Sequence, residues 1–419
     1  MYNENSIEKL RRLLSQKAEI KNVDYKLTFN WNEASKEDKG KIMKDIIAMA
    51  NSKEGGIILF GVSNKDMEPE GMPKEDYESF DQTKISDFIN NYAYPKVSFV
   101  VEKPEYDGKF FVMITVKEFD KIPILCTDFI KSSKGEDILK KGCIPIRTEG
   151  AQSKWVETAD EWKELFELSI NKEIDSESQR MQEIIEANTF IDEHITNMFS
   201  DHGRWEIVVY PKFYNERLIS KINKLRELIN KPTSKIYYGF PYRYPTDLFD
   251  LNNGVGSYYP LKKQDDYDLV TGFEMTQSGI LVWKQVFVED FKSQNDPEKY
   301  PEKCKLLYDI VYTITNLFLF CRSFYGELNL LDDELHLEVS LCGSRERKLH
   351  SNDIRFPPLW ISPQFESKED IKINTEIHLS KILSSYKQES KKIIKDIISK
   401  FQFDIGDTQI DNLIKVFPE

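Results

Sequence analysis

Ser35-Lys-Glu-Asp-Lys-Gly-Lys-Ile-Met-Lys-Asp-Ile-Ile-Ala-Met-Ala-Asn-Ser-Lys-Glu-Gly-Gly-Ile-Ile-Leu-Phe-Gly-Val62 reads as a helix, a glycine break and a buried strand in immediate succession. The Ser35 hydroxyl can accept from the unpaired N–H groups of a first helical turn, and Glu37 and Asp38 suit the positive end of the helix dipole. Ile42, Met43, Ile46, Ile47, Met49 and Ala50 recur at the three-to-four spacing of one apolar face, while Lys41, Lys44 and Asp45 point elsewhere. Asn51 and Gly55-Gly56 tolerate positive φ, so they end the helix and turn the chain. The unbroken apolar run from Ile57 to Val62 then fits a strand buried on both faces.

The remaining sequence sets the frame around that unit. The chain has 419 residues, 40 % hydrophobic and 31 % charged, which is enough for a sizeable core and for two domains or more. Its formal net charge of −13 excludes a general electrostatic grip on nucleic acid, so such binding needs local basic patches. The first 173 residues hold 27 Lys and Arg against 32 Asp and Glu, so neither half is a basic module. The five cysteines form no Cys-x-x-Cys pair, and the five histidines show no metal-ligand spacing. A reducing cytoplasmic setting without structural zinc is expected. The polar amino-terminal segment argues against secretion. The longest apolar run, Leu306 to Cys321, is too short and too polar to span a membrane and reads as a buried helix.

Helices and strands alternate irregularly along the chain, an α+β pattern. Ile7 to Leu14 reads as a helix, and Val23 to Phe29 as a strand with Val23, Tyr25, Leu27 and Phe29 on one face. Ile85 to Tyr92 is a short helix ending before Pro95. Val97 to Val101 and Phe110 to Val116 are strands joined through Asp107-Gly108, a hairpin turn. Cys143 to Arg147 is a strand, and Thr158 starts a helix. The polar stretch Asn171 to Met181 marks a domain boundary or extends that helix, dividing the chain into residues 1–172 and 173–419. In the second block strands are expected at Trp205 to Tyr210, Leu269 to Met275, Ile280 to Val288 and Leu335 to Leu341. Helices are expected at Asn215 to Ile229 and Pro301 to Phe324. Close spacing of the strands favours an antiparallel sheet, and the tail from Glu376 to Phe401 reads as helical.

The run Ile46 to Val62, with Ala48-Met49-Ala50-Asn51-Ser52, Gly55-Gly56 and Gly61-Val62, resembles the signature of the Schlafen AlbA-like domain. Val23-Asp24-Tyr25-Lys26 is similar to that family's upstream strand. Ile144-Pro145-Ile146-Arg147, with Gly150, Ser153 and Thr158, is similar to its late strand and final helix. The resemblance covers about the first 172 residues. It implies a mixed-sheet domain followed here by a second α+β domain, binding of RNA or single-stranded DNA, and a homodimer.

Some Schlafen proteins cut transfer or ribosomal RNA with three carboxylates around a divalent metal. The resemblance assigns two of these to Glu19 and Asp24, with Mg or Mn as the implied ion. A hard cation that bridges a phosphate and activates water needs such oxygen ligands. The third acid follows Gly-Val in nucleolytic members; here Ser63-Asn64 stands in that place and the nearest carboxylate is Asp66. Apart from the resemblance, Glu19 and Asp24 read as solvated acids at a polar turn. Lys26, on the strand face of Asp24, suits either a phosphate contact or a pair with that acid.

The best basic patch of the first block contains Lys131, Lys134, Lys140, Lys141 and Arg147, interleaved with Glu136 and Asp137. Arg345, Arg347, Lys348, His350 and Arg355 are the densest basic stretch of the second and could hold phosphates in a loop, or pair with the chain's many acids. No Gly-x-x-x-x-Gly-Lys-[Ser/Thr] occurs and Gly55-Gly56 precedes a strand, so no ATP site is recognised. No Gly-x-Ser-x-Gly elbow or local Cys/His pair points to a hydrolase. The reading is a nucleic-acid-binding protein, with phage defence or regulation as its setting. A metal-dependent ribonuclease, a nucleotide-sensing regulator and a non-catalytic subunit stand as alternatives.

Overall fold

The computed structural model describes residues 6–16, 18–63, 67–195, 202–233, 240–241, 248–259, 270–295, 300–328, 330, 333–351 and 365–418. The chain divides into two compact units, Met1–Asp175 and Ser176–Glu419.

Unit 1 contains α1 (Ser6–Gln16), β1 (Val23–Lys26), α2 (Lys36–Ala50), β2 (Gly56–Phe60), α3 (Gln82–Asn90), β3 (Phe99–Glu102), β4 (Val112–Val116), β5 (Pro145–Arg147) and β6 (Ser153–Trp155). Its mixed sheet runs β1-β2-β4-β3, with β1 parallel to β2 and the other pairs antiparallel. Asp107 and Gly108 take φ of 51° and 69° in the tight turn between Glu105–Tyr106 and Lys109–Phe110, as a twisted hairpin requires.

The sequence of α2 dictates both its ends. Asp38 N–H donates to the Ser35 hydroxyl at 3.1 Å, and Asn51 closes the last turn. The Asn51 amide does more than cap. Its Nδ2 donates to the carbonyls of Ile124 at 2.8 Å and Pro145 at 3.0 Å, and its Oδ1 accepts from Ile124 N–H at 2.7 Å. Gly55 sits at φ +68°, where an added Cβ would lie 2.1 Å from the Val116 carbonyl, so no other residue fits.

Strand β2 is apolar throughout because it is covered twice. Ile58 and Phe60 pack with Met43, Ile46, Ile47 and Ala50 of α2. Leu59 packs with Leu10 and Leu13 of α1, beside Val23 and Tyr25. The expected face Val23-Tyr25-Leu27-Phe29 holds only for its first half. The sheet pairing of β1 ends at Lys26, Leu27 is exposed and Phe29 packs into the core on the other side, against Trp31 and Phe60.

The helix expected from Thr158 is α4 (Ala159–Ile195), and Asn171 to Met181 lies inside it, so that polar stretch is helical and the division between the two units falls within it, after Asp175. Unit 2 then contains β7 (Arg204–Pro211), α5 (Ile222–Thr233), β8 (Phe249–Asp250), β9 (Gly254–Tyr259), β10 (Thr271–Thr276), β11 (Leu281–Val286), α6 (Val288–Asn295), β12 (Cys304–Leu306), α7 (Leu307–Tyr325), β13 (Glu334–Cys342), β14 (Lys348–His350), β15 (Ile371–His378), α8 (Leu379–Lys400) and α9 (Asp407–Ile414). Seven strands form an antiparallel sheet in the order β8-β9-β10-β11-β7-β13-β15. One face packs α7 and α8, while Ala187, Ile191 and Ile195 of α4 cover the other. The helix expected over Pro301 to Phe324 begins only after strand β12, at Leu307, and the start of the expected helical tail is the end of strand β15. Among the described residues no helix is long and apolar enough to cross a membrane.

Carboxylates fix α4 to this sheet. Glu183 accepts from Tyr214 at 3.1 Å and also from Asn253 and Ser278. Glu274 of β10 is 7 % exposed, and burial, aided by Glu183 and Glu186, pushes its pKa up to about 7. A carboxyl raised above its unfolded value contributes stability below the unfolded pKa and loses it as pH rises through the folded one. Urea unfolding of unit 2 should therefore weaken by on the order of 2–3 kcal/mol between pH 5 and pH 8, and Glu274→Gln should abolish most of that slope. An unchanged slope in the variant would remove Glu274 from this role.

Candidate functional site

The pleat of β1 sends Val23 and Tyr25 toward α1 and Asp24 and Lys26 to the opposite face, where α2 and the β5–β6 hairpin pack. Four charges meet there. Lys26 Nζ lies 2.9 Å from Asp24 Oδ2 and 3.1 Å from Asp45 Oδ2. Arg147 Nη1 lies 3.9 Å from Asp24 and 3.7 Å from Asp45, and its Nε donates to the Lys21 carbonyl at 3.2 Å. Ser153 completes the ring, donating to Asp45 at 2.7 Å and accepting from Arg147 at 3.3 Å.

Asp24 and Arg147 are buried, so this ring is a compensated interior cluster. Burial raises the Asp24 pKa, with Asp45 adding to it against the opposing pull of Lys26 and Arg147. For Lys26 burial works against the charge, but Asp45 and Asp24 outweigh it and hold the pKa above its usual value.

These positions decide how the expected residues can act. Glu19 is exposed and its Oε1 accepts from Tyr25 N–H at 3.3 Å, whereas the Asp24 carboxylate is occupied by Lys26. Asp66 and Asn64 lie outside the described residues. Among the described residues no three His, Cys, Asp or Glu side chains are grouped to hold a metal. The Asp24 carboxylate is therefore not free for Mg or Mn, because a hard dication needs carboxylate oxygens without cationic partners. Arg147 and Lys26 are likewise committed to Asp24 and Asp45 and do not present free charge to a phosphate.

In unit 2, Arg347 is buried. Its guanidinium grips Asp290 through both nitrogens, Nη2 at 2.7 Å, and donates to the carbonyls of Gly343 and Cys304. The basic stretch around it is thus split by burial. Arg345 and Lys348 are exposed, Arg347 and His350 face inward, and Arg355 lies outside the described residues.

A different group of cations faces outward. Lys44 Nζ sits 4.5 Å and Lys140 Nζ 5.7 Å from the centre of the Trp155 ring. Earlier on the same helix, Lys36 lies 5.0 Å from the Tyr92 ring and Lys39 lies 5.9 Å from Trp31. Among the described residues neither Lys44 nor Lys140 is ion-paired to a carboxylate, in contrast to Lys9, Lys21, Lys26 and Lys41. Lys140 is among the residues expected from sequence, and Lys141 beside it is exposed. Lys44 and Trp155 are additions. Lys44 is 111 positions from Trp155 and only the packing of the hairpin on α2 unites them, although Trp155 beside Lys154 after a basic strand was a usable signal.

A cleft of about 610 Å³ in unit 1 is lined by Lys21, Lys53, Arg147 and Lys172, but also by Glu118, Glu161, Glu164 and Glu167. Its mixed charge does not suit a polyanion.

Residues 19–153 match the family model described as Schlafen, AlbA_2. No curated protein matches the chain. Among solved structures, the DIP2311 protein from Corynebacterium diphtheriae aligns at 16 % identity and TM-score 0.25, over 38 % of this chain and 27 % of that one. The N-terminal domain of an ATP-dependent DNA helicase RecG-related protein from Nitrosomonas europaea aligns at 20 % identity and TM-score 0.23, over 31 % of this chain and 88 % of that one. The chain thus spans about a quarter of the length of the first of these structures.

Proposed function

We propose that this chain, which carries a Schlafen AlbA_2 domain over residues 19–153, uses that domain to bind RNA or single-stranded DNA. The observation that carries the reading is the set of lysines held against aromatic rings in unit 1, Lys36, Lys39, Lys44 and Lys140, in a chain whose net charge is −13. An acidic protein repels nucleic acid over most of its surface, so a local cluster of cations without acid partners is where a phosphate chain gains contact. Of the rings beside those cations, Tyr92 and Trp155 are half-buried and suit unpaired bases, whereas Trp31 is buried in the core.

The reading is one of binding, because the Asp24 carboxylate is neutralised by Lys26 and no described triad of metal ligands supports metal-assisted cleavage. Titration of labelled single-stranded RNA by fluorescence anisotropy should show binding that weakens steeply between about 50 and about 200 mM salt. Transfer RNA incubated with the protein and Mn²⁺ should stay intact. Absence of salt-sensitive binding to any RNA or DNA at low ionic strength would overturn the proposal, and cleavage lost in Asp24→Ala would replace it with a nuclease.

A further inference from the structure

We infer that Trp155, with Lys44 and Lys140 set on its ring, is a stacking platform for one unpaired base, and that the two ammonium groups take the phosphates on either side of that base. This inference rests on the reading that the domain binds nucleic acid, and it names the residues and the strand chemistry.

Trp155 ends β6, pairs with Pro145 across the hairpin and is half-buried where it packs against the core of unit 1. In the unliganded protein the two lysines share the π-face, and a stacking base displaces their flexible ammonium groups from the ring toward its own phosphates. The second lysine brings a like charge to the same place. Burial lowers the Lys44 pKa; Asp45 opposes this and Lys140 adds to it. Asp45 is engaged directly by Lys26 and Ser153, so it offsets the Lys44 charge only from a distance and forms no ion pair with it. Two half-buried ammonium groups on one ring, without an ion-paired carboxylate among the described residues, leave repulsion that an anion between them would relieve.

The class of anion follows from the ring. A carboxylate-rich peptide needs the cations alone, whereas a nucleic-acid strand supplies a flat π-face and a phosphate on each side of it. In a duplex the bases are stacked on each other and unavailable to a side chain, so the platform selects single strands.

The test uses the full chain with three fluorescently labelled probes: oligouridine, a strand of the same length and phosphates lacking bases, and poly-aspartate. The unaltered protein should bind oligouridine about 5- to 150-fold tighter than the abasic strand, the value of one stacked base. Trp155→Ala should erase that gap, and Trp155→Phe, which keeps a ring on the hairpin core, should retain most of it. Lys44→Ala with Lys140→Ala should reduce the slope of log affinity against log salt by about 1.4, since each lost phosphate contact removes about 0.7. Equal binding of oligouridine and the abasic strand overturns the platform while leaving the domain a nucleic-acid binder. A gap that survives Trp155→Ala at an unchanged melting temperature overturns it too. Poly-aspartate bound as tightly as oligouridine would make the surface an acidic-protein site. Failure to bind any strand at low salt overturns the underlying reading and the platform with it.

Discussion

Lys305→Ala should unfold unit 2 or bring it to the edge of unfolding. The Lys305 side chain is fully buried, with Nζ 2.7 Å from Glu289 Oε1 and in contact with Asp309 Oδ2. Asp309 also accepts from Trp205 Nε1 at 3.0 Å, and Glu289 from Leu306 N–H at 3.1 Å. The rings of Phe287 and Trp205 stand 4.1 Å and 5.1 Å from the ammonium. Truncating the lysine leaves two carboxylates among apolar side chains with no cation, a loss of about 3–5 kcal/mol. That is a large part of the 5–15 kcal/mol that holds a typical domain together. Urea unfolding followed by tryptophan emission should show it, and a loss below about 1 kcal/mol would mean that water or another cation reaches the acids. Replacing Lys305, Glu289 and Asp309 together by Met, Leu and Leu should restore part of the stability, because the apolar set removes the charges along with their partner but leaves the Trp205 Nε1 and Leu306 N–H donors without acceptors.

Arg147→Ala should have a comparable effect on unit 1. The substitution removes a buried guanidinium that faces Asp24 and Asp45 and that also donates to the Lys21 carbonyl and the Ser153 hydroxyl. Lys26 alone then opposes two carboxylates, and about 3–5 kcal/mol is expected to be lost. The loss should depend on pH in a definite direction. The Asp24 pKa already stands above the ordinary carboxylate value, and losing a cation raises it further. An acid raised in the folded state contributes stability below its unfolded pKa and loses it as pH climbs through the folded pKa. Arg147→Ala should therefore be closer to the unaltered protein at pH 5 than at pH 8. Asp45→Asn in the same chain should recover part of the loss at pH 8, as a double-mutant cycle would read. Equal losses at both pH values would show that the guanidinium acts through its hydrogen bonds alone.

The parts of this molecule that were readable in advance are those whose causes are local. The Ser35 cap, the spacing from Ile42 to Ala50, the Gly55 turn and the apolar run after it carry their reasons within a few residues, and the structure builds them as read. Strand β15 was hidden for the opposite reason. It lies at the sheet edge, so Lys372, Thr375 and Glu376 stand among its apolar residues and blur the alternation. The burial of Asp24 was not legible because a carboxylate in sequence has no depth. Asp24 beside Lys26 looks like a surface pair until Asp45 and Arg147 arrive from 21 and 123 positions away. At Arg347 the sequence left open a phosphate contact or an acid partner, and the structure supplies the acid, Asp290, from a separate helix.

Asn51 gives the lysine–tryptophan face its mechanical character. One amide ends α2 and, through three hydrogen bonds, pins the chain entering β5 and the segment at Ile124 to that same helix end. Lys44 and Trp155 thus belong to two members of one frame, bolted at Asn51 and tied again where Ser153 and Arg147 meet Asp45. A ligand that pushed the hairpin aside would have to break the bolt or carry the helix along, so the spacing between ring and ammonium is held by the frame. The lysines can be exchanged with small structural consequence, whereas changing the amide would loosen the whole face at once.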